Sequence, residues 1–580
     1  MAPGALCGSP ISGGPIIEVI VFAESYIELW PQYRENLASL YGDLMSSASH
    51  DDTSILDPEL AAIETPSGID RRNFLVRSAM IGAVTVLSGC EAPSAKATAE
   101  QAASAPPTPP KVPLSPDLDV VKKSKGPVMT TIEEFYKVGP GPSSSHTIGP
   151  MRITYDFYQR ASKLPPDQLA KATALKVHLY GSLSATGKGH GTERAALAGI
   201  IGKEPATIDP AFLDELAAKP EQTFPVTLGS AKFNASLSDI IYDAPKGDFP
   251  HPNTMTCKLM AGDTVLLEQE YYSVGGGFIE WKGYTPPKKG APKYPYATMK
   301  ELQAHADREK LSIAQLAMAN EVAVSGKSEA EINAFLDKVS TAMVNIVKSG
   351  LAAPTGTLPG PIKLKTKAGE VYKRAMDDKY AGQRAVGLVA AYALAGSEEN
   401  ARGHLVVTAP TGGSAGVIPA LVYSLGQGGR KLPQQKIRDG LLAAAVIGYL
   451  GKHNATLAGA EGGCQAEIGV ASSMGAALIA QAYDQPNQVV ANSAESALEH
   501  HLGMTCDPVA GFVQVPCIER CAYGAVKAWT GFAIASNEIP VNRRVDFDTT
   551  VAAMALTAKE MNAKYKETSE GGLAVSVTLC

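Results

Sequence analysis

Apolar and polar positions change rhythm along this chain, and each rhythm predicts a different element. From Leu175 to Tyr180 the two kinds alternate with period two, the pattern of a half-buried strand. That strand leads through Gly181 into the glycine-rich stretch Thr186-Gly-Lys-Gly-His-Gly-Thr-Glu193, and Arg194–Ile201 follows as a helix-forming run. Tyr271–Ile279 predicts a second strand interrupted by a tight turn at Gly275-Gly-Gly277. Beyond Pro295 the period lengthens. Ser328-Glu-Ala-Glu331 is a capping box, and Ile332, Phe335, Leu336, Val339, Met343, Ile346 and Val347 follow it at helical spacing. The remainder is Ala, Gly and Leu-rich helix broken by glycine-rich loops, a composition that suits closely packed helices. The expected architecture is an α+β domain over residues 129–295 followed by a mainly α-helical domain over residues 296–580. No internal repeat is evident.

The first 128 residues carry neither rhythm. Arg71-Arg72 begins a twin-arginine export signature, and the uncharged run from Ser78 to Gly89 has the length of a signal core, too short to span a bilayer. The run ends Leu87-Ser-Gly-Cys90, which looks like a bacterial lipobox whose cysteine would carry a lipid. A short buried helix is the competing reading. Residues 71–90 are thus expected to be an export and anchoring signal, giving a periplasmic or membrane-attached protein, with 91–128 an Ala/Pro/Ser/Lys-rich disordered tether. Residues 1–70 remain an unassigned extension. They make the segment before the arginine pair far longer than a signal normally has, even if Met45 is the true start.

Length and composition narrow the class. At 580 residues the chain exceeds what one hydrophobic core usually organises, so at least two domains are expected. A net charge of −6 with both signs interspersed gives no footprint for nucleic acid. Eight cysteines in this length are too few for a disulfide scaffold.

Four of those cysteines carry the candidate chemistry. Cys464 lies in Glu461-Gly-Gly-Cys-Gln-Ala-Glu467, Cys506 in Gly503-Met-Thr-Cys-Asp-Pro, Cys517 in Gln514-Val-Pro-Cys-Ile-Glu-Arg520, and Cys580 is the last residue. Any one alone is more readily a small buried hydrophobe. Together, thiolates are soft ligands suited to iron–sulfur clusters and zinc. These segments, with Gly139-Pro-Gly-Pro-Ser-Ser-Ser-His-Thr-Ile-Gly-Pro-Met151, Gly-Lys-Gly-His-Gly, His251-Pro-Asn-Thr-Met255 and Thr408-Ala-Pro-Thr-Gly-Gly-Ser-Ala-Gly416 in order, resemble the iron–sulfur L-serine dehydratases of the single-chain type. The resemblance covers residues 129–580. It implies a [4Fe–4S] cluster held by Cys464, Cys506 and Cys517, with Cys580 folding back as a fourth ligand, and release of pyruvate and ammonia from L-serine. Three thiolates would leave one iron open as a Lewis acid for the departing hydroxyl.

Taking the Cα proton needs a base that is neutral near pH 7, which suits histidine. The resemblance points to His190 as that base, with His146 binding substrate or orienting the site. Ser143, Ser144, Ser145, Thr147, Thr411 and Gly412 are the expected substrate contacts; the serine run can equally serve as a helix N-cap. Gly412 stands where the family has asparagine, and Cys521 likewise, so Cys521 is not carried over as a ligand. Two copies of the chain are expected to pair. The competing readings are β-elimination from another small amino acid (L-threonine or L-cysteine) on the same cluster, and a lipid-anchored cluster-binding protein without catalysis. A pyridoxal-phosphate enzyme is disfavoured, because no lysine lies in a context that suggests a Schiff base.

Overall fold

The computed structural model describes residues 126–245, 247–286, 288–429 and 431–577. The arginine pair, Cys90 and Cys580 lie outside the described residues.

The N-terminal half is built on a five-stranded sheet of order β5-β2-β6-β7-β8. Its strands are β2 (Ala174–Leu179), β5 (Ile240–Tyr242), β6 (Thr254–Ala261), β7 (Thr264–Ser273) and β8 (Ile279–Trp281). β2 runs parallel to β5, and the other pairings are antiparallel. The period-two stretch is strand β2, one residue earlier at each end than the pattern predicts. Its Leu175, Val177 and Leu179 are buried and face Leu259, Cys257 and Met255 of β6. A hairpin of β3 (Phe224–Leu228) and β4 (Ala231–Ala235) stands apart from this sheet.

Helices α1 (Gly149–Ala161) and α2 (Thr192–Ile200) pack on each other, and α1 also meets β6 and β7. Met151, Ile153, Phe157 and Leu197 of these helices join Tyr271 and the β2 and β6 side chains in one core. The glycine turn lies between β7 and β8. Gly275, Gly276 and Gly277 all have positive φ (88°, 56° and 74°), a region that side chains with a Cβ rarely adopt.

The C-terminal half is a helical bundle. Helix α3 (Glu329–Ala352) starts where the capping box predicts: Glu331 donates its backbone N–H to Ser328 Oγ (3.3 Å), and Ser328 N–H donates back to Glu331 (2.9 Å). Six of its seven predicted apolar positions are buried, and Phe335 is half-buried. The centre of the bundle is α6 (Val470–Ala482), every residue of which is buried. Around it stand α4 (Val417–Gly426), α5 (Gln434–Asn454), α7 (Asn487–Glu499) and α8 (Cys517–Asn537).

Small residues make this spacing possible. A Cβ on Gly475 would meet Leu421 Cδ1 at 2.4 Å, and Ser472 and Ser473 donate their hydroxyls to the Gly524 and Ala494 carbonyls of neighbouring helices (2.7 and 2.6 Å). Those bonds satisfy polar groups that burial would otherwise strand.

The halves are laced together before the sheet begins. Ile132, Phe135 and Tyr136 insert into the helical core, and strand β1 (Val138–Pro140) pairs antiparallel with β9 (Leu405–Val407) of the helical half. Among the described residues no helix is long and apolar enough to cross a membrane.

Candidate active site at the junction of the two halves

A cavity of about 240 Å³ lies where the halves meet. One wall is the loop after β1, which enters a single helical turn, Ser144–Ile148, continuous with α1. Ser143 caps that turn by accepting the His146 backbone N–H at 3.2 Å. The N-cap reading of the serine run is therefore realised, while Ser143, Ser144, Ser145 and His146 also line the cavity.

Both halves hold this loop. Thr192 and Ser273 from the sheet half donate to the His146 and Ser145 carbonyls (2.5 and 2.7 Å). Asn400 from the helical half donates to the carbonyls of Pro142 and Gly412, each at 2.9 Å.

The opposite wall carries sulfur. Cys464 lies just before the turn that opens α6, and Cys517 is the first residue of α8, so both sit at helix N-termini, where aligned peptide dipoles favour thiolate. Cys506 sits on an extended segment. Its N–H donates to Tyr565 O and its carbonyl accepts from Glu567 N–H, both at 2.8 Å. All three thiols are buried and line the cavity. Ligand atoms of Cys464, Cys506 and Glu467 lie within 4.8 Å of one another. The neighbouring Cys464 thiol and burial push Cys506 well above the usual thiol range, and burial with Cys464 does the same for Cys517. A cation is what would turn such a set into thiolates, and soft sulfur donors lining one cavity fit an iron–sulfur cluster.

The two histidines are neighbours, with ring centroids 4.8 Å apart, but they face different spaces. His146 faces the sulfur cavity; its Nδ1 is 2.9 Å from Ser145 Oγ and its Nε2 is 3.0 Å from Ser182 Oγ. His190 lines a second cavity of about 320 Å³. It ends a 3₁₀ turn (Gly187–His190) between two helices, where the sequence pattern suggested an open loop at a strand end. Its Nδ1 donates to the Thr186 carbonyl at 3.0 Å, which leaves Nε2 as the acceptor, buried and without a partner among the described residues. Burial lowers the pKa of both rings, and for His146 the neighbouring His190 adds to the effect. Both are therefore neutral near pH 7.

Thr147 is behind the wall: its hydroxyl donates to the His190 carbonyl at 2.8 Å, tying the two histidine segments together. Thr411 and Gly413 line the cavity, and Gly412 does not. Gly412 backs onto the serine loop so closely that a Cβ there would stand 2.8 Å from Ser144 N, which accounts for glycine at this position.

Sequence reasoning missed three contributors. Ser182 and Glu567 line the cavity without any motif to announce them, whereas Glu467 stood in the Cys464 segment, three residues past the thiol, and was left without a role. Glu467 Oε1 accepts the Thr411 hydroxyl at 2.8 Å. Burial pushes Glu467 up to about 7 and Glu567 up to about 8, with the Glu467 carboxylate adding to the second shift. Cys521 donates its thiol to the Gly413 carbonyl at 3.2 Å, and Cys257 is buried in the sheet core, which suits structural roles for both.

Residues 131–284 match the family model described as serine dehydratase beta chain, and residues 308–574 match serine dehydratase alpha chain. The chain belongs to the serine dehydratase family. It is 38% identical to L-serine dehydratase 2 of Escherichia coli over 471 residues, covering 78% of this chain and all of that one. The L-serine dehydratase of Haemophilus influenzae is also 38% identical, over 77% of this chain and 99% of its own length. The protein of that name from Streptomyces coelicolor is 37% identical, over 78% and 99%. The serine dehydratase family thus spans both halves in one polypeptide, and the cavity lies where its beta and alpha portions meet.

Proposed function

We propose that this enzyme converts L-serine to pyruvate and ammonium, with a [4Fe–4S] cluster held by Cys464, Cys506 and Cys517. The observation that carries the reading is the convergence of three buried thiols and the serine–histidine loop on one cavity, in a chain whose relatives are named for that reaction. When bound, the cluster supplies a Lewis acid for the departing hydroxyl. Ser143, Ser144 and Ser145, at the start of the turn leading into α1, offer hydroxyls and backbone N–H groups to the substrate carboxylate. Thr411 borders the same space from the helical half. Loss of the Cα proton and the β-hydroxyl yields an enamine, which becomes the imine of pyruvate and hydrolyses.

His190 is proposed as the base, because its Nε2 is the imidazole nitrogen of the pair with a free lone pair. His146 then holds the substrate. A second reading makes His146 the base, and its place in the wall of the sulfur cavity favours it. Cys580 is proposed as the fourth ligand in the resting enzyme, displaced by substrate.

The test is anaerobic reconstitution of the full chain with iron and sulfide. Four irons per chain, a visible charge-transfer band and pyruvate release from L-serine are expected. Faster turnover of L-threonine or L-cysteine would change the substrate, and a bound cluster without lyase activity would leave only a cluster-binding protein. The same reading tethers the protein through Cys90 and pairs two copies. Membrane fractionation of Cys90→Ala and sedimentation of the wild type test these points.

A further inference from the structure

The cavity has an unbalanced charge. Among the described residues no lysine or arginine lines it, while Glu461, Glu467 and Glu567 do. Glu461 is exposed and already bonded to the Thr456 hydroxyl. Glu567 accepts the Ala460 backbone N–H. Glu467 is different. Thr411 fixes one carboxylate oxygen, and among the described residues the other takes no hydrogen bond and the group forms no salt bridge; Arg520, paired with Asp507, acts on it only from a distance.

The backbone around it leaves space. A Cβ on Gly413 would come 3.1 Å from Oε1, and one on Gly459 would come 2.5 Å from Oε2. Two glycines thus leave room for the carboxylate at the cavity wall, where the part of its surface that is not buried faces the cavity. A partly buried carboxylate with one oxygen unbonded gains from a cation that reaches it. The serine loop, facing it from the sheet half, offers donors for an anion. One wall is thus suited to the negative end of a zwitterion and the other to the positive end.

We propose that Glu467, aimed by Thr411, receives the α-ammonium group of the amino-acid substrate and so selects amino acids over the corresponding hydroxy acids. The inference rests on the lyase reading for its substrate class, but it concerns binding and not the elimination itself. Holding the ammonium at Glu467 and the carboxylate at the serine loop fixes two of the four substituents of Cα. The α-hydrogen and the hydroxymethyl group are then left to the histidines and the sulfur wall. A site built around a buried charged partner rejects a ligand that cannot satisfy it far more strongly than an apolar pocket rejects a misfit.

The test uses L-alanine and L-lactate, which differ only in amine against hydroxyl and carry no β-hydroxyl to eliminate. Their binding to the anaerobic, cluster-loaded full chain is measured by titration calorimetry, beside iron content and the visible spectrum. The wild type should bind L-alanine at least about 10-fold more tightly than L-lactate. Glu467→Gln should weaken L-alanine by about 10- to 100-fold, leave L-lactate within about 2-fold, and keep iron and spectrum unchanged. Thr411→Val, which removes only the hydroxyl that aims the carboxylate, should shift the same ratio in the same direction by a smaller factor; it serves as the test if Glu467→Gln does not fold.

Equal weakening of both ligands, or loss of iron on Glu467→Gln, would overturn the proposal in favour of a structural or ligating role. So would a wild type that binds the two ligands equally. Discrimination at Glu467 without pyruvate release from L-serine would instead overturn the lyase reading and leave this inference standing.

Discussion

The two halves of the molecule build their interiors by opposite means. The sheet half fills its core with large side chains such as Phe157, Tyr271, Leu179 and Met255. The helical half brings backbones together through glycine, alanine and serine, with α6 enclosed on all sides and its hydroxyls bonded to neighbouring carbonyls. They also divide the chemistry. The sheet half, with its leading loop, contributes His146, His251 and the serine hydroxyls, and His190 in the neighbouring cavity, while the helical half contributes every thiol and carboxylate of the cavity. A close-packed bundle suits a metal site, because ligands at helix N-termini cannot drift apart. A loop pinned from both sides suits a group that must move a proton.

The largest expected effect is on the sulfur wall. Cys464→Ala, Cys506→Ala and Cys517→Ala should each abolish iron binding and pyruvate release together, since removal of one ligand leaves the others short of a full set. A triple variant that keeps iron and activity would remove the sulfur wall from the mechanism.

Beside that wall the loss should be confined to rate. His190→Ala should keep its iron and its spectrum while turnover falls by about 10²- to 10⁴-fold, the range general-base catalysis contributes. Near-normal turnover in His190→Ala beside that loss in His146→Ala would hand the base to the residue facing the sulfur cavity.

Stability separates the halves by the direction of the change. Leu179→Ala, which removes atoms from the sheet core, should cost about 2–5 kcal/mol. Gly475→Leu, which adds atoms between α6 and α4, should cost about 1–3 kcal/mol or more because Leu421 already occupies the space. Denaturant midpoints measure both, and the reverse experiments (Leu179→Met, Gly475→Ala) should be milder.

Taken for one group and one pH unit, the smallest effect is the pH dependence of stability. His146 and His190 have folded-state pKa values held below 6.5 by burial, and the same cause takes His251 and His501 down to about 4. The unfolded chain therefore binds these protons first. Their contribution is complete above pH 6.5 and falls as pH drops towards 4, by about 1.4 kcal/mol per pH unit for each group in the window. His404 runs the other way, because Glu399 raises it, so its contribution is lost as pH rises above 6.5. Replacing His251 by Asn should flatten the acid limb, as read by thermal midpoints across pH 4.5–7.5.

Much of this comparison was legible in the sequence, unevenly. Period two found β2 and the capping box found α3, because each signal is local and repeats over several residues. The bundle was recognisable as helical, but α6 has no polar face, so periodicity could not order the helices or show which one is central. The site was legible where chemistry is tied to short words: three cysteines, His146 and the serine run all reach the cavity. His190 was placed correctly beside it in sequence but faces a neighbouring space, because two turns of helix replace the expected loop. Gly412 supports the serine loop from behind, a role that no local pattern could show. Glu567 and Ser182 come to the cavity only through tertiary folding, and no local pattern could name them.

The short ladder at Cys506 bears on how the protein is made. Its N–H and carbonyl are bonded to Tyr565 and Glu567, Pro508 accepts the Ser569 hydroxyl, and Asp507 takes the Leu573 N–H at 2.7 Å. These partners, Tyr565 to Leu573, follow all three thiols in the sequence. A nascent chain holds all three thiols long before it holds the frame that aims the middle one. Assembly of the centre thereby waits for residues 565–573, and a chain without them carries Cys464 and Cys517 on their helices but leaves Cys506 unframed.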